Sequence, residues 1–285
     1  MKQVMNKLVS IVILTKNAGP KFNETLDAIY KQSIGINIEV IVVDSGSTDE
    51  TLGILKDYNV GLYQIKPGDF NFGLTRNYAF SLANGEFIVT ISQDVIPCDT
   101  FWLKNIIAPF YENDKVVAVK GHVKIPENNN VFYWEKVGMF YFTSESVTWV
   151  KNYKHGLSFV NCAIRKIFWE NNQIPYCIYS EDKLFQKKII NDGKIVFFVK
   201  DAICYHGHQY SLKSLLARLI NEGLGWQYVG VSYGLIDCLK DIYDNKWMIK
   251  KSIQSYINKE FCTFEELIFP LLRPICIYYG NRKNI

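Results

Sequence analysis

Five groups of polar side chains stand where an apolar run stops or a helical one begins. Thr15-Lys16-Asn17 follows the run 8–14, Asp44-Ser45-Gly46-Ser47 follows 40–43, and Ser92-Gln93-Asp94 follows 87–91. Glu181-Asp182 opens a helical pattern that Gly193 ends, and His206-Gly207-His208 follows the short apolar segment 202–205. A carboxylate at the end of a buried strand suits two tasks. It accepts from a ribose hydroxyl or a base imide, as Asp44 would, or it holds a hard divalent cation with water and phosphate oxygens, as Asp94 would. Arg76, in the first turns of the helix before 87–91, can meet an anion through paired N–H groups, so Asp94 with Mg2+ or Mn2+ and Arg76 would together neutralise a phosphate. Blander uses stand beside these: Asp44 as a helix cap, Asp94 as a turn residue, Arg76 in a surface ion pair, and Glu181 and Asp182 as acids favoured by the helix dipole. The histidines suit metal or substrate contact as well as a structural role.

Such side chains need a scaffold that brings strand ends together. The stretch 70–97, FNFGLTRNYAFSLANGEFIVTISQDVIP, reads as a turn, a helix starting near Gly73, a stop at Gly85 and a strand apolar enough to be covered on both faces. Upstream, the strand 9–14 leaves through the loop 15–20, and a helix follows with Phe22, Leu26, Ile29 and Tyr30 on one side. The strand 40–43 leads to Ser47, three residues before Glu50 in capping-box spacing for the next helix, and 61–65 is a shorter strand. This alternation predicts an α/β fold with a doubly wound, mostly parallel, Rossmann-like sheet. Right-handed crossovers put the loops after residues 14, 43 and 91 on one edge, where Thr15, Asp44 and Asp94 face a common crevice. No GxGxxG or GxxxxGK[ST] accompanies the first helix, which argues against a dinucleotide site and a P-loop.

Beyond Pro97 the pattern predicts a helix 101–111, a strand 116–123, a polar loop 126–130, a buried strand 159–164, a short helix around Phe168 and Trp169, and short strands 195–199 and 202–205. The segment 131–149 is aromatic without clear periodicity; its Trp134, Tyr141 and Trp149 suit sugar stacking or core packing. From Ser211 the chain is helical, with Leu212, Leu215, Leu216, Leu219 and Ile220 in one stripe, and the apolar tail 264–279 is interrupted by Pro270 and Pro274. The expected division is 1–210, with halves 1–97 and 98–210, followed by a C-terminal helical extension 211–285. A net charge of +4 is too small to argue for nucleic acid, yet it accommodates an anionic substrate or an acidic membrane surface. Seven cysteines, Cys262 among them, never fall in CxxC pairs, which points to buried thiols in a reducing compartment. The segment 1–7 leads into no signal-peptide core, and no run approaches the ~20 apolar residues of a membrane span, so the expected location is the cytoplasm.

The segments VSIVILTKN, IVVDSGSTDET and FNFGLTRNYAFSLANGEFIVTISQDVIP together resemble the N-terminal half of family 2 glycosyltransferases of the GT-A fold. Within that family, F-N-x-G-x-T-R-N-x-A followed by S-Q-D-x-x-P is similar to a bacterial rhamnosyltransferase-like branch. NCAIRKIFW, YSEDKLFQKKIINDG and AICYHGHQYSL resemble that branch's NxAIRR, (A/S)ED and HSHxYS motifs. The likeness runs from about residue 8 to about 215, on the order and spacing of five motifs. It implies a nucleotide-binding half 1–97, an acceptor-binding half 98–210, and an inverting transfer from a nucleotide-sugar donor, dTDP-rhamnose favoured, to a lipid-linked or polysaccharide acceptor. It further implies that Thr15, Asn17, Asp44, Ser45, Arg76, Gln93 and Asp94 bind the nucleotide sugar, with Arg76 near the pyrophosphate. Asp94 would hold Mg2+ or Mn2+ with His206 and His208, and the catalytic pair would be Glu181 and Asp182, with Asp182 as base. Two departures stand out. Asp94 is a single acid where D-x-D has two, which bears on metal affinity, and Lys120-Gly121-His122 replaces a common Gly-Arg-Gln, which bears on the sugar.

A UDP-hexose, or a dTDP-hexose other than rhamnose, is the alternative donor. Two further classes remain: a nucleotidyltransferase, which needs a glycine- and lysine-rich loop that residues 15–20 lack, and a non-catalytic nucleotide-sugar binding module. The C-terminal helices and the tail 264–282 suit the inner face of a membrane, where lipid-linked acceptors reside, and equally suit packing on the domain or in a homodimer.

Overall fold

The structure, a computed structural model, describes residues 8–32, 35, 37–127, 131–153, 156–260 and 263–283; the segment 1–7, the loop positions 128–130 and Cys262 lie outside them. Runs rich in Val and Ile become strands because branched side chains pack well on a pleated, doubly covered surface. In chain order β1 (Val9–Thr15), α1 (Phe22–Tyr30), β2 (Ile38–Asp44), α2 (Thr51–Ile54), β3 (Gly61–Gln64), α3 (Phe72–Ser81) and β4 (Phe87–Ser92) alternate. There follow β5 (Ile96–Pro97), α4 (Trp102–Ile107), α5 (Pro109–Glu112), β6 (Val116–Lys124), α6 (Tyr133–Lys136), α7 (Ser144–Tyr153), β7 (Asn161–Arg165), α8 (Lys166–Asn171), α9 (Glu181–Asn191) and β8 (Ile195–Tyr205). The chain ends in α10 (Leu212–Tyr228), α11 (Leu235–Asp244), α12 (Lys246–Ile257) and α13 (Phe264–Asn281).

The eight strands form one mixed, mostly parallel sheet in the order β3-β2-β1-β4-β7-β6-β8-β5. β1 pairs in parallel with β2 and β4, with Thr15 opposite Asp44 and Leu14 opposite Ser92, so three strands end level at one edge. β7 runs antiparallel between β4 and β6, with Cys162 beside Thr90 on one side and Lys120 on the other. Where two short strands are expected at 195–199 and 202–205, the structure has β8 alone. Its pairing with β6 shifts between Gly121 and His122, and the Asn161 amide fills the irregularity by donating to His122 O at 3.2 Å and Ala202 O at 3.0 Å. The charged Lys200-Asp201 marks that bulge and broke the apolar pattern.

Ser47 does not cap a helix. α2 starts later, at Thr51, and the Ser47 hydroxyl instead donates to the Asp44 carboxylate and accepts from Asn17 N. Spacing alone could not reveal that Asp44 competes for the same hydroxyl.

The chain divides into two compact units, Met1–Lys124 with His155–His206, and Ile125–Lys154 with Gly207–Ile285. The first holds the sheet. On sequence, residues 125–154 fall in the 98–210 half; in the structure they belong to the second unit, because Phe132, Trp134 and Phe140 share an aromatic core with Tyr210, Leu215, Met248 and Phe269. The tail read as interrupted by prolines is one helix, α13, with Pro270 and Pro274 inside it. Pro270 has no N–H for the carbonyl four residues back, and that orphan, Glu266 O, accepts from Trp134 Nε1 at 2.6 Å. α13 crosses α10 where Gly280 faces Ile220 and Gly223 faces Ile277: a Cβ on Gly280 would stand 1.9 Å from the Ile220 carbonyl oxygen. Gly280→Val must therefore force the two helices apart and cost about 1–3 kcal/mol. Calorimetry should show the thermal midpoint falling by several degrees, whereas an unchanged midpoint would contradict this crossing.

Candidate active site

The first unit's site begins at the edge where β1, β2 and β4 end. The loops leaving these strands are tied to each other by side chains, since an irregular backbone near a sheet edge must find partners outside the ladder. Gln93, just past β4, accepts from Thr15 Oγ1 and from Lys16 N, both at 2.8 Å, and returns its amide to Lys16 O at 3.3 Å. Thr25 Oγ1, on α1, donates to Gln93 O at 3.1 Å. Asn17, left-handed at φ 48°, accepts from Thr48 N at 2.8 Å and donates its own N–H to Ser47 Oγ at 2.8 Å.

Asp44 is wholly buried and accepts from Gly46 N and Ser47 N, both at 2.9 Å, so its carboxylate braces the turn 45–47 rather than opening outward. Ser45 is held by its N–H and its hydroxyl on Thr15 O, at 3.0 and 3.2 Å. Gly46 cannot be replaced cheaply: it has φ +89°, and a Cβ would stand 2.5 Å from Pro67 Cγ.

These loops border a cavity of about 410 Å³ lined by Thr15, Lys16, Ser45, Gln93 and Arg76, together with Pro67, Phe70 and Phe72. The last three were missed on sequence. Phe70 and Phe72 meet edge to face at 4.8 Å between centroids, and their only signal was the F-N-F spacing four and six residues before Arg76.

Arg76 connects this cavity to a second group. It is nearly buried, donates from Nη1 to Thr90 Oγ1 at 2.9 Å and from Nη2 to Glu181 Oε1 at 3.1 Å, and stacks 4.5 Å from the Phe159 ring centroid. The paired N–H groups expected to grip an anion are thus partly spent on an internal ion pair, and Nε has no hydrogen-bond partner among the described residues. Glu181 opens α9, and Ser180 before it is left-handed at φ 64°, a conformation costing on the order of 1–3 kcal/mol in a non-glycine residue. Burial pushes the Glu181 carboxyl above the usual carboxylate range; Arg76 opposes that shift and the adjacent Asp182 adds to it. Asp182 accepts from Lys183 N at 2.7 Å, and its side chain remains one-fifth exposed. Lys120, on the row Thr90-Cys162-Lys120, is held below the usual lysine range by burial, against the pull of Asp182. Burial pushes the Cys177 thiol, which also feels Glu181 and Asp182, up to about 12.

Asp94 and His206 form a third group: His206 Nε2 lies 3.3 Å from Asp94 Oδ1 at the end of β8. An oxygen and an imidazole nitrogen suit Mn2+ better than Mg2+, which prefers oxygen throughout. His208 belongs to the second unit, where its Nδ1 lies 3.2 Å from Glu135 Oε1 and its N–H donates to Glu135 Oε2 at 3.0 Å. Burial works to raise the Glu135 carboxyl, but His208 and Tyr210 hold it below the usual range. Trp134 lies in that unit's core and Trp149 packs on Trp226.

The model of the family described as Glycosyl transferase family 2 matches residues 10–172. The chain is 29% identical over 232 residues to the O-antigen chain rhamnosyltransferase RfbN of Salmonella typhimurium, covering 76% of this chain and 71% of that one. It is 27% identical over 231 residues to the O-antigen chain rhamnosyltransferase WbaN of Salmonella anatum, covering 75% and 71%. In fold it is similar to the mannosyltransferase PcManGT from Pyrobaculum calidifontis, solved with GDP-Man and Mn2+, at a TM-score of 0.60 and 17% identity over 98% of this chain and 71% of that one.

Removing Arg76 while leaving Glu181 buried should be costly, about 3–5 kcal/mol. The Arg76→Met variant raises the native Glu181 pKa further above its unfolded value, so the native state holds a proton that the unfolded state has lost. Stability should therefore fall as pH rises from about 5 to 8, more steeply than in the parent. Denaturant unfolding of Arg76→Met at both pH values checks this, and adding Glu181→Gln should recover part of the loss and flatten the pH dependence.

Proposed function

The chain belongs to glycosyl transferase family 2, and on that premise we propose that this glycosyltransferase moves a sugar, with inversion, from a nucleoside diphosphate donor to a hydroxyl of a lipid-linked glycan or polysaccharide. dTDP-rhamnose is the favoured donor, since both Salmonella relatives are described as rhamnosyltransferases. Lys120-Gly121-His122 in place of Gly-Arg-Gln favours a second reading, a UDP-hexose or a dTDP-hexose other than rhamnose. One observation supports the reading above others: Arg76 joins a cavity lined by Thr15, Ser45 and Gln93 to a helix start carrying two adjacent carboxylates.

In this proposal the nucleoside lies along Thr15, Asn17 and Ser45, with Asp44 shaping the turn that presents Ser45. Arg76, Gln93 and Asp94 border the diphosphate. Asp182 takes the proton of the acceptor hydroxyl as its oxygen bonds to the anomeric carbon; the carbon–oxygen bond to the diphosphate breaks, and its electron pair leaves with the nucleoside diphosphate. Glu181, paired with Arg76, is a positioning residue for Asp182. Asp94 and His206 would hold a divalent ion, which when bound supplies positive charge against the leaving diphosphate. Residues 98–210 contribute acceptor contacts, and the enzyme works in the cytoplasm at the inner face of the membrane, as a monomer or a homodimer. No helix among the described residues is long and apolar enough to cross a membrane.

In a correctly folded protein, Asp182→Asn should lower kcat by about 10²- to 10⁴-fold, the usual worth of a general base; undiminished transfer would overturn the assignment. Thermal-shift titration of a nucleotide-sugar panel with Mn2+ should single out a dTDP sugar, since a ligand at about 100 times its Kd adds ~2.7 kcal/mol. EDTA should abolish transfer, and Mn2+ should restore it better than Mg2+.

A further inference from the structure

α11 and α12, both in the second unit, are turned the opposite way from ordinary surface helices. Apart from Met248, which joins that unit's core, their buried positions are small or polar. Asp241 accepts from Ser144 N at 3.1 Å and from Tyr233 OH at 2.8 Å, Ser252 donates to Leu267 O at 2.6 Å, and Ser255 lies 3.2 Å from Tyr133 OH. Their large apolar side chains face outward instead. Ile236 is 81% exposed, Trp247 46% and Ile257 65%, with Leu239, Tyr243 and Ile253 exposed between them. A soluble protein rarely leaves such a stripe open unless something covers it.

The charges on these helices indicate what does. Residues 246–259 carry Lys246, Lys250, Lys251 and Lys259 and no acid. The acids of α11 are Asp237, which accepts from Gly234 N at 2.7 Å, the buried Asp241, and Asp244; Glu260 follows the basic run. Lys246 Nζ stands 4.0 Å from the Tyr243 ring centroid, an ammonium over an aromatic face. Aliphatic side chains flanked by Trp, Tyr and Lys make up the composition of helices that lie in a bilayer interface, where the rings sit at headgroup level and the ammonium groups meet lipid phosphates.

We propose that the α11–α12 face docks the enzyme on a bilayer surface containing anionic lipid. α13, the tail also suited to that role by its composition, leaves Phe264, Leu271, Ile275 and Tyr279 exposed but buries Phe269, Pro270, Pro274, Cys276 and Ile277, and its one cation, Arg273, is buried too and cannot meet a lipid phosphate. The docking deepens the proposed function, because a lipid-linked acceptor is presented at such a surface. It does not depend on turnover.

The test uses the full chain and vesicles of phosphatidylglycerol with phosphatidylcholine, against phosphatidylcholine alone. The parent should sediment with the anionic vesicles and far less with neutral ones, and release as salt screens the lysines. Ile236→Gln/Trp247→Gln/Ile257→Gln and Lys246→Glu/Lys250→Glu should each lower the partition coefficient roughly tenfold or more. Both variants should keep the parent's circular dichroism and its turnover of a water-soluble acceptor. Brominated lipid should quench fluorescence in the parent and less in Trp247→Phe. Unchanged sedimentation of both variants would overturn the proposal. So would a parent that ignores vesicles yet forms a dimer that the triple variant dissociates. Vesicle binding without transfer of any sugar would sink the transferase reading alone, and transfer without vesicle binding would sink the docking alone.

Discussion

The ion pair between Arg76 and Glu181 is the contact on which the arrangement of the site depends. It joins groups 105 positions apart in the chain, both nearly buried, and sets the start of α9 against α3 and β4. A buried pair is poor evidence for net stability, since two charges leave water to form it; its force lies in the penalty for separating them. That penalty selects one placement of the α9 N-terminus. The left-handed Ser180 immediately before it is the strain such a fixed placement sustains. Asp182 is the next residue along, so whatever holds Glu181 also limits where Asp182 can go.

The strand-end loops are fixed by a different device. Parallel pairing of β1 with β2 and β4 brings the ends level, but levelling alone leaves three irregular backbones side by side. Gln93 and Asp44 resolve this as acceptors: Gln93 takes the Thr15 hydroxyl and the Lys16 N–H of the neighbouring loop, and Asp44 takes the N–H groups of its own turn, 46–47. Both are polar groups consumed in building a wall. Ser45 and Arg76 line the cavity because others hold them in place.

Much of this architecture was legible because its signals are local. β1, β2 and β4 are continuous branched runs, and a buried parallel strand has little alternative appearance. Legibility failed where a residue's partner is distant or where two local rules compete. Ser47 had capping-box spacing, yet Asp44 took its hydroxyl. Lys200-Asp201 looked like a break between strands, yet Asn161 bridges the bulge. Pro270 looked like a helix stop, yet Trp134, 136 positions upstream, satisfies the carbonyl it orphans. At the site, the residue types at strand ends could be read, while the Arg76–Glu181 pair and the Phe70–Phe72 wall could not, since no periodicity relates a side chain to a partner beyond its own element.

Two adjacent carboxylates at one helix start invite the question of which can serve as a base, and their surroundings separate them. Glu181 is buried, one of its oxygens lies on Arg76, and burial favours its protonated form. A group so placed can hold a geometry, but it cannot readily meet an incoming hydroxyl. Asp182 has more exposed side chain, a single backbone N–H on Oδ1 among its hydrogen bonds described above, and Lys120 within electrostatic reach. Burial that lowers the Lys120 pKa makes its charge costly to keep, and the nearby Asp182 works against that shift. Arg76 thus lies on Glu181, while Asp182 has Lys183 Nζ 4.0 Å from its Oδ1 and Lys120 within electrostatic reach; in the proposed reading the first acid orients and the second takes the proton. That division of environments is the pattern by which neighbouring titratable groups come to hold different roles in one site.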